Sequence, residues 1–415
     1  MNLSTVVMKR WRFVYLASVV ATLVVGLGIW NPLKAMADRS KAPAYKVDPF
    51  WPKPMPDRWV TGDVAGTCVD SNDHIFTVNR AAATPLTAKE LIVGSPSPPV
   101  IEFDRAGNTV NYWGDVAFLP NGLHGCFVDY QDNVWIGGNG DGIVQKYSHG
   151  GQFLMQIGTK GVCDGPCGET ASTNSSETLL NEPADIAVDP SNGDIYVADG
   201  YGNHRVVVFN KAGKYLRQWP PKGTPGGTAP GQFSATGGGH PHCVRLDNAG
   251  RVYACDRAND RVQVFDKLGN LQRVIPIKPG TGQVPGGIGS AWDVDFSADK
   301  DQSFLFDADG GNEVLWELDR SAALGGDPNA ILVGFGRPGH MAGDFTFLHS
   351  VTVDSRNNMF IGETIGGRRV QKFVRVGDLA RATDTYKGSP HYDPRFPDVS
   401  GGGGNNNNNT GGGDD

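Results

Sequence analysis

Three of the nine histidines in this 415-residue chain begin hexapeptides of one form, each of which ends in aspartate. The hexapeptides are HGCFVD from His124, HCVRLD from His242 and HSVTVD from His349. Neutral imidazoles are preferred ligands of zinc and other transition metals, and three of them leave a fourth position open for chemistry. Each histidine could instead only cap its strand, but three at one phase favour a shared role. They are predicted to bind one divalent metal ion, with zinc the first choice and copper or iron the alternatives.

The hexapeptides belong to an internal repeat. Related segments end at Asp70, Asp189 and, in a degenerate copy, Ser297, so six copies recur at intervals of about 50 to 60 residues. Within a copy, alternating apolar residues separated by Gly, Asn and Asp turns indicate four short antiparallel strands. A ring of such four-stranded units is typical of a propeller. The chain is predicted to be all-β, with a six-bladed β-propeller over residues 61–375.

The repeat predicts where the histidines point. In a propeller the first strand of each blade lines the central channel, and the hexapeptides are taken to be these strands. Histidine begins the hexapeptide in blades two, four and six, whereas the other blades have Ala65, Ala184 and Trp292 there. Alternate blades of a sixfold ring are related by threefold symmetry. Three imidazoles should therefore face the channel axis from three sides.

Hairpin register predicts which side chains share this end of the channel. Cys243 and Cys255 lie almost symmetrically about the turn after Asp247, so each second strand ends at the same rim. The candidate residues at these ends are Arg80, Tyr201, Arg257 and Glu363. Two guanidinium groups and a phenol beside a metal could bind the carboxylate of a substrate and move a proton. The arginines could alternatively form salt bridges with aspartates such as Asp256.

Charge and the amino-terminal segment restrict partners and compartment. The formal net charge is −7 and basic residues are scattered, which argues against nucleic acid as a partner. An apolar run from Phe13 to Ile29 follows MKRWR and precedes Ala35-Met36-Ala37, which has the spacing of a signal peptidase site. Residues 1–37 are predicted to be a signal peptide or, if uncleaved, an anchor and the only membrane contact. The remaining chain is expected in the periplasm or outside the cell.

Export permits disulfide bonds among the six cysteines. Cys243 and Cys255 would face each other across a hairpin, and Cys68 and Cys126 remain as a further pair. Cys163 and Cys167 would close a very small loop, with a metal or redox role as the alternative.

The two flanks of the predicted propeller differ in composition. Residues 38–60 are predicted to be an extended lead-in whose segment FWPKPMPDRW packs its aromatic side chains on the propeller. Residues 376–415 end in GGGGNNNNNTGGGDD and are predicted to be a disordered, low-complexity tail. The protein is expected to be a monomer.

Several phrases of the chain resemble a known family. VADGYGNHRVVVFNKAGKYLRQW, HPHCVRL, CDRANDRVQVF, LPNGLHGCFVD and FLHSVTVD resemble the NHL-repeat propellers and, among them, the peptidyl-α-hydroxyglycine α-amidating lyases. The resemblance implies a zinc ion, a catalytic tyrosine and two active-site arginines. The matching positions are His124, His242 and His349 for zinc, Tyr201 for the tyrosine, and Arg80 and Arg257 for the arginines.

The resemblance also implies a reaction. Such a lyase cleaves a peptide ending in α-hydroxyglycine, or here a related small hydroxylated carboxylate, to an amide and glyoxylate, with Tyr201 as the base on the hydroxyl. The substrate would be a peptide or small molecule carrying a carboxylate. The family's aspartate after the third histidine is Ser350 here, which argues against its structural calcium ion.

Two other functions stay open at the level of sequence. One is a non-catalytic NHL propeller that binds a protein or glycan and keeps a structural metal. A structural site would be closed by a fourth protein ligand and would not need Tyr201 or the two arginines. The other is a lactonase-like hydrolase on a six-bladed frame, whose calcium would prefer oxygen ligands over three imidazoles.

Overall fold

The computed structural model describes residues 41–81, 86–168, 174–236 and 239–380. These residues form six four-stranded antiparallel sheets, which confirms the predicted all-β, six-bladed propeller. The predicted leader or anchor at 1–37 and residues 381–415 of the predicted tail lie outside the described residues. Within the described ranges, no helix has the length and apolar character needed to cross a membrane.

The elements are short and are numbered along the chain. The strands are β1 (Lys41–Asp48), β2 (Trp59–Val60), β3 (Val64–Val69), β4 (Ile75–Asn79), β5 (Ser95–Pro96), β6 (Val100–Phe103), β7 (Thr109–Trp113), β8 (Leu123–Val128), β9 (Val134–Gly138), β10 (Ile143–Tyr147), β11 (Phe153–Gly158), β12 (Asp185–Val188), β13 (Ile195–Asp199), β14 (Arg205–Phe209), β15 (Tyr215–Trp219), β16 (Val244–Leu246), β17 (Val252–Asp256), β18 (Arg261–Phe265), β19 (Leu271–Pro276), β20 (Asp293–Phe296), β21 (Phe304–Asp309), β22 (Val314–Asp319), β23 (Ile331–Phe335), β24 (Leu348–Val353), β25 (Met359–Glu363) and β26 (Arg369–Ala380). The helices are α1 (Ala88–Val93), α2 (Arg320–Gly325) and the 3₁₀ turns Pro56–Arg58 and Arg257–Asn259.

Each blade is a meander of four neighbouring strands, and the sixth blade closes the ring. Blades two to five use consecutive strands, and blade one uses β3, β4, β6 and β7. The sixth blade has β24, β25 and β26, with β1 paired antiparallel to β26 as its outer strand. The first and last strands of the described chain therefore pair in one sheet. This pairing closes the ring of blades and covers the edge of β26, which would otherwise have no neighbouring strand.

The lead-in segment is fastened by its tryptophans. The ring of Trp51 lies 5.5 Å from that of Phe103 in blade one and 4.8 Å from that of Phe360 in blade six. Trp59 packs edge-on against Tyr112 at 4.7 Å. Phe50, in contrast, is 84% exposed, so the expectation that every aromatic of this segment packs on the propeller is wrong for this residue. It lies in a turn, and its N–H is bonded to the Asp48 side chain.

Burial follows the position of a strand within its blade. In blade three all residues of β12, β13 and β14 are buried, whereas most residues of β15 are partly or fully exposed. Inner strands lie between neighbouring blades and are covered on both faces, so they are nearly continuous apolar runs. The outer strand has a solvent face. This packing holds the first strands rigidly around the channel.

The aspartate that ends each hexapeptide has a structural role in the repeat. In blade two, Asp129 Oδ1 accepts hydrogen bonds from the N–H groups of Gln131 and Asn133, at 2.9 and 3.0 Å. Asp70, Asp247 and Asp354 bond to residues two and four positions on in the same way. Such aspartate turns stabilise the tight connection between first and second strands.

All six cysteines form disulfides, in the three pairings that the sequence offered as candidates without fixing them. The pairs are Cys68–Cys126, Cys163–Cys167 and Cys243–Cys255. The first bond links blades one and two, and the last links the first two strands of blade four. Because no cysteine is free, the alternative of a thiol metal site in the small loop is not supported. Three disulfides are consistent with an extracellular protein.

Candidate metal centre

The three histidines that begin alternate hexapeptides meet inside the channel. His124 is the second residue of β8, His349 the second of β24, and His242 comes two residues before β16. All three are buried, and their ring centroids are separated by 4.5 Å (124 to 349), 4.8 Å (124 to 242) and 4.9 Å (242 to 349). One nitrogen of each lies within 4.8 Å of the others. We call these residues the three-histidine cluster.

The alternate blades orient the imidazoles. Nδ1 of each imidazole lies against a backbone carbonyl oxygen of the next blade. The distances are 2.8 Å from His124 to Ala184, 2.7 Å from His242 to Trp292 and 2.6 Å from His349 to Ala65. A carbonyl can only accept, so each Nδ1 carries the proton and each Nε2 keeps its lone pair. A hydrogen bond from Nδ1–H to a backbone carbonyl, which fixes the tautomer and the ring orientation, is typical of metal-binding histidines.

The electrostatic surroundings keep the imidazoles neutral. Burial is the main cause that lowers the pKa of His349 to about 3, with Arg80 acting in the same direction. Burial likewise lowers the pKa of His124 and His242 well below the ordinary value, assisted by neighbouring imidazoles and arginines. A neutral imidazole is the form that binds a metal, so the donor set of the three-histidine cluster fits a divalent transition ion.

Tyr201 lies directly against the cluster. Its hydroxyl oxygen is 3.0 Å from Nε2 of His124 and 3.2 Å from Nε2 of His242. The residue follows β13 after one glycine, and its backbone N–H donates to the carbonyl of Glu182 at 3.1 Å. The structure therefore brings the predicted tyrosine to the predicted ligands, where its hydroxyl can exchange a proton with a molecule bound there.

Arg80 lies near Tyr201 and is held by hydrogen bonds to blade two. It follows β4, its Nε donates to the carbonyl of Leu123 at 2.7 Å, and its Nη2 donates to Oδ1 of Asn139 at 3.2 Å. Burial lowers the pKa of Arg80, while the nearby Tyr201 and Asp63 oppose this shift. Asn139 was not identified from the sequence, although it directly follows β9 as Arg80 follows β4, and this shared position in the repeat is the signal that could have found it.

Arg257 rests on an aromatic platform. Its guanidinium carbon is 4.4 Å from the indole centre of Trp292 and 5.9 Å from the ring centre of Tyr201. Asp256, the alternative partner for this arginine, instead accepts from Nε of Arg261 at 2.7 Å. Trp292 thus supports Arg257 with its side chain and orients His242 with its carbonyl. The only sequence signal for this role is an aromatic residue where blades one and three have alanine.

Glu363 reaches the same rim but its carboxylate is occupied. It accepts from Nε of Arg369 at 2.6 Å and from the backbone N–H of Thr346 at 2.7 Å. Glu363 therefore holds the loop at Thr346 and, unlike the two arginines and the tyrosine, is not available to the three-histidine cluster.

The channel is nearly closed on the other side of the three histidines. The cavity there has a volume of about 20 Å³, enough for one water molecule. Its two carboxylates, Asp185 and Asp293, both pair with the guanidinium of Arg245, which already supplies the positive charge that a metal ion would supply there. The hydroxyl of Ser350 lies 3.2 Å from that of Thr67. Among the described residues, this side of the imidazoles therefore leaves no room for an organic substrate.

Comparison with known proteins identifies relatives of the chain. The family model for the NHL repeat matches residues 180–209 and 239–265. NHL repeat-containing protein 3 of Homo sapiens is 27% identical over 355 residues, covering 82% of this chain and 87% of that protein.

Two further relatives have names that state a reaction. Peptidyl-glycine alpha-amidating monooxygenase of Mus musculus is 27% identical over 226 residues, which cover 49% of this chain and 20% of that protein. A protein of Caenorhabditis elegans named "Probable peptidyl-alpha-hydroxyglycine alpha-amidating lyase" is 26% identical over 229 residues, covering 52% and 59%. The chain spans only part of both proteins.

Proposed function

Since the chain contains NHL repeats and is homologous to the lyase domain of the amidating monooxygenase, we propose that it is an exported, metal-dependent lyase. Its substrate would be peptidyl-α-hydroxyglycine or a related small hydroxylated carboxylate, cleaved to an amide and glyoxylate. The proposal is carried by the convergence of three Nε2 atoms, two of them 3.0 and 3.2 Å from the Tyr201 hydroxyl. His124, His242 and His349 would hold the ion, zinc first, which when bound supplies a Lewis acid for substrate oxygen atoms.

The two arginines would bind and orient the substrate. Arg80 and Arg257 flank Tyr201, and a guanidinium group is the side chain best suited to a carboxylate. The indole of Trp292 and the amide of Asn139 hold the two groups in place before substrate arrives. Because neither arginine must reorganise, binding energy can be used to place the carbinol next to the phenol.

Tyr201 would move the proton. In the cleavage the hydroxyl proton leaves, the C–O bond becomes the aldehyde carbonyl, and the C–N bond breaks with its electrons passing to nitrogen. The nitrogen takes up a proton and leaves as the amide. Entering the reaction as the phenolate, Tyr201 would receive the hydroxyl proton and then return one to nitrogen, so the reaction consumes no co-reactant.

The donor set favours this function over the two alternatives. Within the described residues, no fourth His, Cys, Asp or Glu completes the three-histidine cluster, as a closed structural site would require. A lactonase-like hydrolase would need oxygen ligands for calcium, and the nearest carboxylates, Asp185 and Asp293, are paired with Arg245.

Glyoxylate release from a short peptide ending in α-hydroxyglycine tests the proposal. The wild type is expected to release amide and glyoxylate in equal amounts. Tyr201→Phe should keep its metal and lose turnover by roughly a hundredfold to ten-thousandfold, because it lacks the proton carrier. The control is Tyr130→Phe, at a tyrosine that is 54% exposed and away from the cluster, and it should be fully active. Equal activity of the two variants would refute the role of Tyr201, and a metal-loaded wild type without glyoxylate release would refute the substrate.

A further inference from the structure

A second group of potential metal ligands lies at the other end of blade one. Asp70 directly follows β3, whereas Ala65, whose carbonyl orients His349, is the second residue of that strand. The carboxylates of Asp70 and Glu102 are almost completely buried, with 5% and 3% of each residue exposed. They face the imidazoles of His74 and His149. We call these four residues the blade-one cluster.

The distances within the blade-one cluster are those of a compact donor set. Nδ1 of His74 lies 2.7 Å from Oε1 of Glu102 and 3.9 Å from Oδ2 of Asp70. Nε2 of His149 lies 2.9 Å from the same Asp70 oxygen and 3.6 Å from the same Glu102 oxygen. One ligand atom each from Asp70, His74 and Glu102 lies within 4.8 Å of the others. Asp70, His74 and Glu102 thus form a compact three-ligand group, and His149 borders it through its contacts with the two carboxylates.

The other blades show how the repeat normally balances this aspartate. In blade two, Asp129 pairs with the ammonium group of Lys146 at 3.0 Å. In blades three and four the corresponding aspartates pair with Lys267 and Arg320. In each of these blades a permanent cation compensates the buried carboxylate, as burial of a charge requires.

Blade one reverses this pattern at one position. Glu102 pairs in register with Phe76, as Lys146 pairs with Trp135 in blade two, so the glutamate occupies the position of the lysine. Within the part of the chain that the structure describes, no lysine or arginine forms a salt bridge with Asp70 or Glu102. Two carboxylates are therefore buried together where blades two, three and four have one carboxylate and one cation.

We propose that the blade-one cluster is a second metal site, which takes a divalent first-row transition ion. The imidazole of His74 and the two carboxylates suit zinc, iron or manganese, and the ion supplies the positive charge that Lys146 supplies in blade two. The side chains of His74 and His149 are 30% and 39% exposed, which gives the ion an entry path. His149 belongs to blade two and contacts both carboxylates, so the ion would lie where blades one and two meet, on the face opposite the three-histidine cluster.

Zinc binding to the full exported chain tests the proposal, by equilibrium dialysis and elemental analysis. His242→Ala, in which the three-histidine cluster is broken, is expected to retain one ion. Adding Glu102→Lys to that variant should weaken binding of this ion at least tenfold, because the lysine recreates the Asp129–Lys146 pair and keeps the fold. His149→Ala should weaken it similarly. The matched control is His340→Ala, at an exposed histidine outside both clusters.

A metal-dependent rise in the unfolding temperature gives a second readout. Zinc should stabilise His242→Ala but not His242→Ala with Glu102→Lys. The proposal is overturned if His242→Ala holds no ion, or if Glu102→Lys leaves the affinity unchanged. In either case the four residues form an ion-pair cluster only. Neither result bears on the three-histidine cluster, which this variant lacks.

Discussion

Gly239 offers a sharp test of how the three-histidine cluster is positioned. This residue has φ of +84°, and a Cβ placed on it would lie 2.8 Å from Cδ2 of His242, 3.2 Å from Cζ of Tyr201 and 3.3 Å from Cζ of Arg257. Gly231 has almost the same φ, +85°, but a Cβ there would meet nothing within 4 Å. The two glycines therefore form a matched pair that differs only in contact with the site.

Gly239→Ala should damage the metal site beyond its effect on stability. Both substitutions cost about 1 kcal/mol or somewhat more, because alanine is disfavoured at positive φ. Only Gly239→Ala also requires His242 to move by about 0.6 Å to restore an ordinary contact, which exceeds the roughly 0.2 Å tolerance of metal–ligand distances. Zinc affinity should fall ten- to a hundredfold in Gly239→Ala and remain unchanged in Gly231→Ala.

The assay is competition for zinc against a chelator of known affinity, with thermal unfolding of the metal-free proteins as the stability measurement. The expected result is a similar loss of stability in both variants and a loss of zinc affinity in one. If both variants bind zinc equally well, the close packing of Gly239 against His242 does not position a ligand and the reasoning fails.

Three further predictions concern stability, the interblade bond and the arginine platform. Burial raises the pKa of Asp309 to about 7, whereas an aspartate in the unfolded chain has a pKa near 3.9. Between these two values the native protein keeps a proton that the unfolded chain releases. The free energy of unfolding should therefore fall as pH rises from about 4 to 7. Asp309→Asn should remove roughly 2 kcal/mol or more of that fall. Urea unfolding of the wild type and the variant over this pH range measures the difference, and an equal fall in both proteins would contradict the prediction. Cys68 and Cys126 are 58 residues apart, and replacing both with alanine should lower the free energy of unfolding by about 4 kcal/mol, measured with denaturant. An unchanged unfolding midpoint would show that the disulfide does not stabilise the interface between blades one and two. Trp292→Leu removes the indole under Arg257 but keeps the backbone carbonyl that orients His242. KM for an α-hydroxyglycine peptide should therefore rise several-fold while the metal content stays unchanged. Loss of metal would refute the assignment of the side chain to Arg257 and of the carbonyl to His242.

Much of the architecture could be predicted because the repeat has a clear phase. The hexapeptides located the first strands, and hairpin register then placed Tyr201, Arg80 and Arg257 at the same end as the histidines. Both inferences depend only on the alternation of strands and on turn length, which are local properties. For this reason they agree with the described structure.

Other features depend on how distant strands are staggered, which no local pattern encodes. The bonds from Nδ1 to the carbonyls of Ala65, Ala184 and Trp292 involve backbone atoms of the next blade, so residue identity carries no signal for them. The pairing of Lys41–Asp48 with β26 joins residues more than 300 positions apart, and Pro43 interrupts any simple strand pattern there. The blade-one cluster was likewise missed, because its residues have no common spacing.

Elemental analysis of the purified chain beside His242→Ala tests directly whether the three histidines bind a metal. The variant is expected to contain one transition-metal ion fewer per chain than the wild type and to release no glyoxylate. Because the comparison is a difference, it holds whether or not the blade-one cluster is occupied. Equal metal content in the two proteins would show that the three histidines do not bind a metal, and it would favour a propeller that binds a partner without catalysis.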